Sequence, residues 1–377
     1  MRVCFLSRYL WPPRFGAERA THRIATLMGA DASVVCLQKD GAPPGEFSYQ
    51  VRAIRTPLPV PRVAETFREA VLTHRALARA PEAADVWFAT SAAEVPWAKA
   101  LALRHGGAVV AWLHWFPIRN LPEASWPAVR SRSEGRRQDA ARRERAGLSA
   151  AHAVVAVSAY IAGLVEGHVS AEKLRVVRNG IDHPARVPPA PDAPPNVLYI
   201  GRLSPGKGVS TLLRAWRLAR GNLGDATLTI AGDGDRAEVE RAAADPSSGV
   251  TYLGYVEGEE REKAFARAAL VAAPSDDPEA WGLSALEGMA RGRPLLGTAL
   301  GGTSEYLKHG VNGWAVPPGD ADALAGALTD AVRAARDRPR WEALSREAVA
   351  TAGGFTWKGN LAGLKTVWRE AIGKARP

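Results

Sequence analysis

NVLYIGRLSPGKG, residues 196–208, and PSDDPEAWGLSALEGMARGRPLL, residues 274–296, decide how this chain folds. The first begins with a β-branched and aromatic apolar run that stops abruptly at Gly201, which reads as a buried strand running into a loop. The loop sets Arg202 and Lys207 among three glycines, ahead of a helix whose Val209, Leu212, Leu213 and Trp216 share one face. Free backbone N–H groups, a helix start and two cations suit a phosphate. The second stretch repeats strand, acidic loop and helix. Glu279 falls in that loop, and Glu287 on the helix opening near Gly282. Both are expected at the strand ends of an open parallel sheet, where such folds bind ligands.

Outward from this centre the strand and helix signals alternate along the whole chain. In the carboxy-terminal half, strands are expected near 197–200, 226–231, 250–254, 270–273, 294–298 and 313–316, with helices only after Gly319. Gly301 and Gly302 are expected to precede a further helix. In the amino-terminal half, VCFLS, SVVCLQ, DVWFAT, AVVAWLHW, AVVAVS and LRVV read as strands, with a helix from about Ala17 to Met28. The fold class is therefore α/β, with two Rossmann-like doubly wound parallel sheets. Residues 1–183 form the first domain, the proline-rich 184–195 a semi-rigid linker, and 196–354 the second domain.

With 377 residues, two ordinary cores are expected. No apolar run approaches a bilayer span, and the start of the chain does not read as a signal peptide. Cys4 and Cys36 lie in strand-like runs and read as buried free thiols, consistent with a cytoplasmic location. A net charge of +10 favours anionic partners without choosing among nucleotide-sugars, acidic glycans, lipid headgroups and nucleic acid. No nucleic-acid-binding module is recognisable. The arginine-rich segment 130–145 has few apolar residues besides alanine, so at most a peripheral contact with the inner face of a membrane is expected.

The phosphate loop and glutamate pair, together with TIAGDGDR, VTYLGYV, GTALGGTSEYLKHGVNGWAVPPGD, VVAVSAYIAGLV and LRVVRNGID, resemble glycosyltransferase family 4, retaining nucleotide-sugar enzymes of the GT-B fold. The resemblance covers most of the chain. It implies a second domain holding a nucleoside-diphosphate sugar and a first domain holding a carbohydrate, lipid or small-molecule acceptor. It also implies a final helix, about 355–377, that returns to the first domain. Glu279 would hold sugar hydroxyls and Glu287 the ribose, with Glu305 a further candidate; Gly282, Leu283 and Ser284 would add helix amides. Arg202 and Lys207 would stabilise the leaving diphosphate, so that neither metal nor cofactor is expected. A uridine donor is favoured because such donors are common, with a guanosine donor as the alternative.

In the first domain, the resemblance brings Gly16 to the donor diphosphate and His114 to the transferred sugar, while Glu18, Trp112 and Trp115 are candidates for the acceptor. From the residues alone, Gly16 also reads as a simple helix-entry turn and His114 as a structural strand-end histidine, while Trp97, Trp112, Trp115, Phe116 and Trp126 suit stacking faces and a core equally. Two look-alikes are set aside. Gly208 stands where a P-loop needs a magnesium-binding hydroxyl, and Asp233-Gly-Asp235 reads as a turn and helix start rather than a metal motif. The GT-B fold also hosts epimerases and phosphorylases, and a non-catalytic partner subunit would keep the fold.

Overall fold

The structure, a computed structural model, describes residues 1–7, 16–38, 47–55, 74–114, 147–191 and 194–375. The contacts divide these into two units. One holds the described residues up to Gly180 together with those from Trp357 onward, and the other is Ile181–Thr356.

The first unit is built on a sheet of β1 (Val3–Ser7), β2 (Ala32–Gln38), β3 (Gln50–Arg55), β4 (Val86–Ala89), β5 (Ala108–Leu113), β6 (Ala153–Ala156) and β7 (Leu174–Val176). Its order is β3-β2-β1-β4-β5-β6-β7, with every neighbouring pair parallel. β1, β4, β5 and β6 are buried along their whole length, as a sheet covered on both faces requires, so each reads as an unbroken apolar run. β3, QVRAIR, lies at the sheet edge; its interleaved arginines carry no such run, and sequence reading passes over it. Sequence reading also passes over the helix Val95–His105, whose Ala-rich stretch lacks a strong apolar stripe.

The helix Trp357–Ala375 belongs to this unit and buries Trp357, Leu361, Leu364, Trp368 and Ala371, one face of a 3.6-residue period. Trp368 meets Phe88 edge-on at 5.2 Å and Phe5 at 6.3 Å, while Trp112 stacks on Phe88 at 5.3 Å. Trp112 is fully buried in this cluster, so it is core and has no face to offer an acceptor. Trp97 is likewise buried, whereas Trp115, Phe116, Trp126 and the basic segment 130–145 lie outside the described residues.

The second unit carries β8 (Asn196–Ile200), β9 (Thr227–Ala231), β10 (Val250–Tyr252), β11 (Leu270–Ala273), β12 (Leu295–Thr298) and β13 (Gly313–Val316). The order β10-β9-β8-β11-β12-β13 is again wholly parallel. Strand order reverses between β8, which opens the first deciding stretch of sequence, and β11, which runs into the second, and their loops therefore leave the sheet side by side. Two expectations are corrected here. The segment 184–195 is not a spacer: the Pro189 carbonyl accepts from Arg293 Nη2 at 3.0 Å and Val187 lies against Gly292, so the division falls at Gly180 instead. After Gly301 comes only a short 3-10 turn, Gly302–Glu305, rather than a helix. The Asp233–Asp235 step is a turn, as expected, tied to the loop after β8 by Leu203 N–H donating to the Asp233 carbonyl and Asp235 N–H to that of Leu203, and a helix follows from Ala237.

Gly208 tests this packing directly. Its φ is +70°, and a β-carbon there would overlap the Pro274 carbonyl at the end of β11. Gly221, inside the helix Val209–Leu223, is exposed and has open space around it. Gly208→Ala should lower stability by about 3 kcal/mol, whereas Gly221→Ala should raise it by about 0.5–1 kcal/mol. Urea unfolding of the two variants checks this; equal effects would mean that the β8 and β11 loops are not in close contact.

Candidate active site

Loops after β8, β11 and β12 converge at the reversal point of the second sheet, and glycines make their approach feasible. β-Carbons at Gly206, Gly232 and Gly301 would overlap Asp277, the Gly201 carbonyl and the Glu279 backbone respectively. Glu279 is held from several sides. Its backbone carbonyl accepts from Gly302 N–H at 2.6 Å, and Ser275, two residues beyond β11, donates its Oγ hydrogen to Glu279 Oε1 at 2.6 Å. Thr298 at the end of β12 donates in turn to the Ser275 carbonyl at 2.7 Å.

Lys207, on the glycine loop, places Nζ 2.6 Å from the same Oε1. The lysine is 35 % exposed and the glutamate 19 %, so the pair is partly withdrawn from water but reachable. Burial alone would raise the Glu279 pKa. The Lys207 charge, hydrogen bonds from Lys207 and Ser275, and the Arg202 charge outweigh it, and the carboxyl is held below its ordinary value. Arg202 is exposed, and its carbonyl accepts from the Tyr199 hydroxyl at 2.8 Å.

Two neighbouring acids complete the loop. Asp276 accepts from Thr211 and, at 2.9 Å, from the N–H of Gly319, which ties the loop after β13 to that after β11. Asp277 donates its N–H to the Gly206 carbonyl at 2.9 Å; burial first, and then Asp276, raise its pKa against the pull of Lys207. Gly282 caps the helix Leu283–Ala290 in the left-handed region at φ +78°, where a β-carbon would crowd the Tyr306 hydroxyl. This cap turns the first amides of the helix, Leu283 and Ser284, toward the loop side.

Glu287 goes elsewhere. It is 1 % exposed and forms an ion pair with Arg261 of the helix Gly258–Arg267. Arg291 grips Glu262 with two bonds of 2.7 and 2.8 Å and donates to the Glu287 carbonyl at 2.9 Å. Phe265 lies 4.8 Å from the guanidinium carbons of both arginines. A buried carboxylate needs such a partner, and this network places Glu287 as the anchor of its helix rather than as an open ribose ligand. Glu305 is half-buried on the 3-10 turn.

In the first unit, Gly16 opens the helix Gly16–Met28 and Glu18 lies in its first turn, while the loop before them lies outside the described residues. His114 follows β5. Its Nδ1 lies 3.2 Å from the Asn179 amide nitrogen, its ring centroid is 4.3 Å from that of Trp112, and burial pushes its pKa down to about 3. Ser275, Asp276, Arg261 and Asn179 escape sequence reading because each sits in a stretch whose composition is ordinary for a loop or a solvated helix. Ser275 alone carries a local signal, four residues before Glu279.

The profile described as "Glycosyltransferase Family 4" matches residues 16–184, and that described as "Glycosyl transferases group 1" matches 194–334. The chain belongs to glycosyltransferase family 4. A phosphatidyl-myo-inositol mannosyltransferase of Mycobacterium leprae is 34 % identical over 154 residues, which span 41 % of this chain and 41 % of that protein. Among solved structures, a sucrose-phosphate synthase from Thermosynechococcus elongatus superposes with a TM-score of 0.81 at 19 % identity, covering 99 % of this chain and 100 % of the other. Anabaena HepE, in complex with UDP and glucose, gives 0.74 at 21 % identity, covering 97 % and 98 %. The fold is GT-B, two parallel-sheet α/β domains. Among the described residues, no helix is long and apolar enough to cross a membrane.

The Lys207–Glu279 pair should show energetic coupling. Lys207→Met leaves Glu279 without its nearest cation, at a cost of about 1–3 kcal/mol. Adding Glu279→Gln should recover part of that loss. Losses that simply add, within about 0.5 kcal/mol in a urea double-mutant cycle, would contradict the pairing.

Proposed function

We propose that the chain transfers a sugar from a nucleoside-diphosphate sugar, with a uridine nucleotide favoured, to a hydroxyl of a glycan, lipid or small-molecule acceptor, with retention at the anomeric carbon. One observation carries this reading: Lys207 and Glu279 meet at 2.6 Å among glycine loops at the reversal point of a parallel sheet, a cation and an anion set where such sheets bind ligands. A leaving diphosphate gains negative charge while the sugar gains positive character. Lys207, Arg202 and the amides of Leu283 and Ser284 suit the first, and the Glu279 carboxylate suits the second. The bond from the anomeric carbon to phosphate breaks, the acceptor oxygen bonds to the same face, and the acceptor proton passes to the leaving phosphate oxygen. HepE, in complex with UDP and glucose, supports a uridine donor. In the first unit, His114 is read as a hydrogen-bond donor to a substrate oxygen.

A panel of nucleotide-sugars, followed by thermal shift, should identify the donor, because a ligand that binds only the native state raises the melting temperature. Calorimetry with the matching nucleoside diphosphate then separates the residues. Lys207→Ala should weaken binding between about 10- and 100-fold, from the loss of one charge-assisted bond worth roughly 1.5–3 kcal/mol. Glu279→Gln should keep nucleotide affinity and slow single-turnover transfer, since its contacts count most as the sugar becomes cationic. Glu287→Gln, breaking the buried pair with Arg261, should lower the melting temperature and leave nucleotide affinity unchanged. Full transfer by Glu279→Gln would remove this site from consideration.

The two cations also supply the charge that other glycosyltransferases draw from a divalent ion, so transfer should survive exhaustive chelation. Activity abolished by a chelator and restored by manganese would overturn this part of the proposal.

A further inference from the structure

The first unit carries a buried polar pair that the proposed reaction leaves unexplained. Asn179 follows β7 by three residues and His114 follows β5 by one, with β6 lying between those strands in the sheet. The asparagine therefore reaches past the end of β6, where the chain turns at Ser158 into the helix Ala159–Val165, to meet the histidine. Asn179 is 2 % exposed, and its amide nitrogen Nδ2 lies 3.2 Å from His114 Nδ1.

An amide nitrogen can only donate, so His114 Nδ1 accepts, and the single proton of the neutral ring must sit on Nε2. Nε2 is itself buried and has no hydrogen-bond partner among the described residues. A buried N–H left over in this way lacks an acceptor that another molecule can supply. Trp112, tilted against the imidazole at 4.3 Å between centroids, restrains the ring plane. No charged group contributes to the downward pull on the His114 pKa, which comes from burial alone, so the ring stays neutral through the working range.

We infer that Asn179 is a positioning residue: it holds the His114 proton on Nε2 and so makes this histidine a permanently neutral hydrogen-bond donor toward an oxygen of bound substrate. This rests on the reading of His114 as a substrate contact, but not on the identity of the donor or on the Lys207–Glu279 site. Replacing the amide by a carboxylate inverts the arrangement. In Asn179→Asp the side chain can only accept, the proton moves to Nδ1, and Nε2 becomes an acceptor.

Long-range 1H–15N correlation spectra of the histidine rings read the tautomer without any ligand, with His114→Gln assigning the signal. In the wild-type protein Nε2 should carry the proton and Nδ1 should not, unchanged between about pH 5.5 and 8, a range in which an ordinary histidine titrates. Asn179→Asp should move the proton to Nδ1. With the donor identified by thermal shift, the same variant should slow transfer by about 100-fold, the loss expected for one preorganised donor. Asn179→Ser, which keeps a hydroxyl donor, should restore part of the rate. A wild-type ring protonated at Nδ1, or an Asn179→Asp ring still protonated at Nε2, overturns the inference. A moved proton with an unchanged transfer rate overturns its functional half. Failure of the donor-site reading would instead appear as unchanged nucleotide affinity in Lys207→Ala, a measurement that does not involve His114.

Discussion

Backbone must touch backbone where β8, β11 and β12 end, and the second unit depends on it. At Gly208, Gly301 and Gly302 a β-carbon would run into the carbonyls of Pro274, Glu279 and Ala280, so loops from three strands pack with no side chain between them. Only glycine tolerates both this contact and the positive φ found at Gly208 and Gly301. The consequence is chemical. Because the loops are this close, Lys207 on one reaches Glu279 on the next, and Gly302 on the third fixes the Glu279 backbone.

Charge in this unit is arranged at two depths. Near the surface, Lys207 and Glu279 stay partly exposed and balance one another. Deeper, Glu287 pairs with Arg261 beside Phe265, and the buried Arg291 reaches out to the exposed Glu262, so that two helices are held together. Of the two glutamates in the sequence pattern, one thus faces the loops and the other the interior. Their different surroundings follow from position: Glu279 precedes the helix that Gly282 caps, and Glu287 lies more than one turn inside it.

The first unit uses a different device. Its core is built on aromatic rings, with Phe5, Phe88, Trp112 and Trp368 packed edge-on or stacked. Trp368 arrives from the far end of the chain, so the core under β1, β4 and β5 is complete only when the last helix is in place. Such a core is rigid, and it sets His114 and Asn179 on a firm base.

Sequence alone was enough to find the six strands of the second unit, the glycine loop, and the placement of Glu279 in a loop with Glu287 on a helix, because each leaves a local mark: an apolar run, a glycine cluster, a period. It read the edge strand β3 as no strand at all, since its arginines interrupt any apolar run, and it left Trp112 undecided between core and ligand because indole suits both. What lay beyond it was pairing. Lys207 with Glu279, Arg261 with Glu287 and His114 with Asn179 are separated by 72, 26 and 65 residues. Composition and spacing say nothing about which of these side chains meet. Strand order decides that: β8 lies beside β11 and so brings two distant loops together, and β7 lies one strand from β5 and so brings an asparagine to a histidine. Local pattern fixes what each segment is, whereas the partner of each charge and each proton is settled only when the sheet has assembled and the alternatives have been taken out of water.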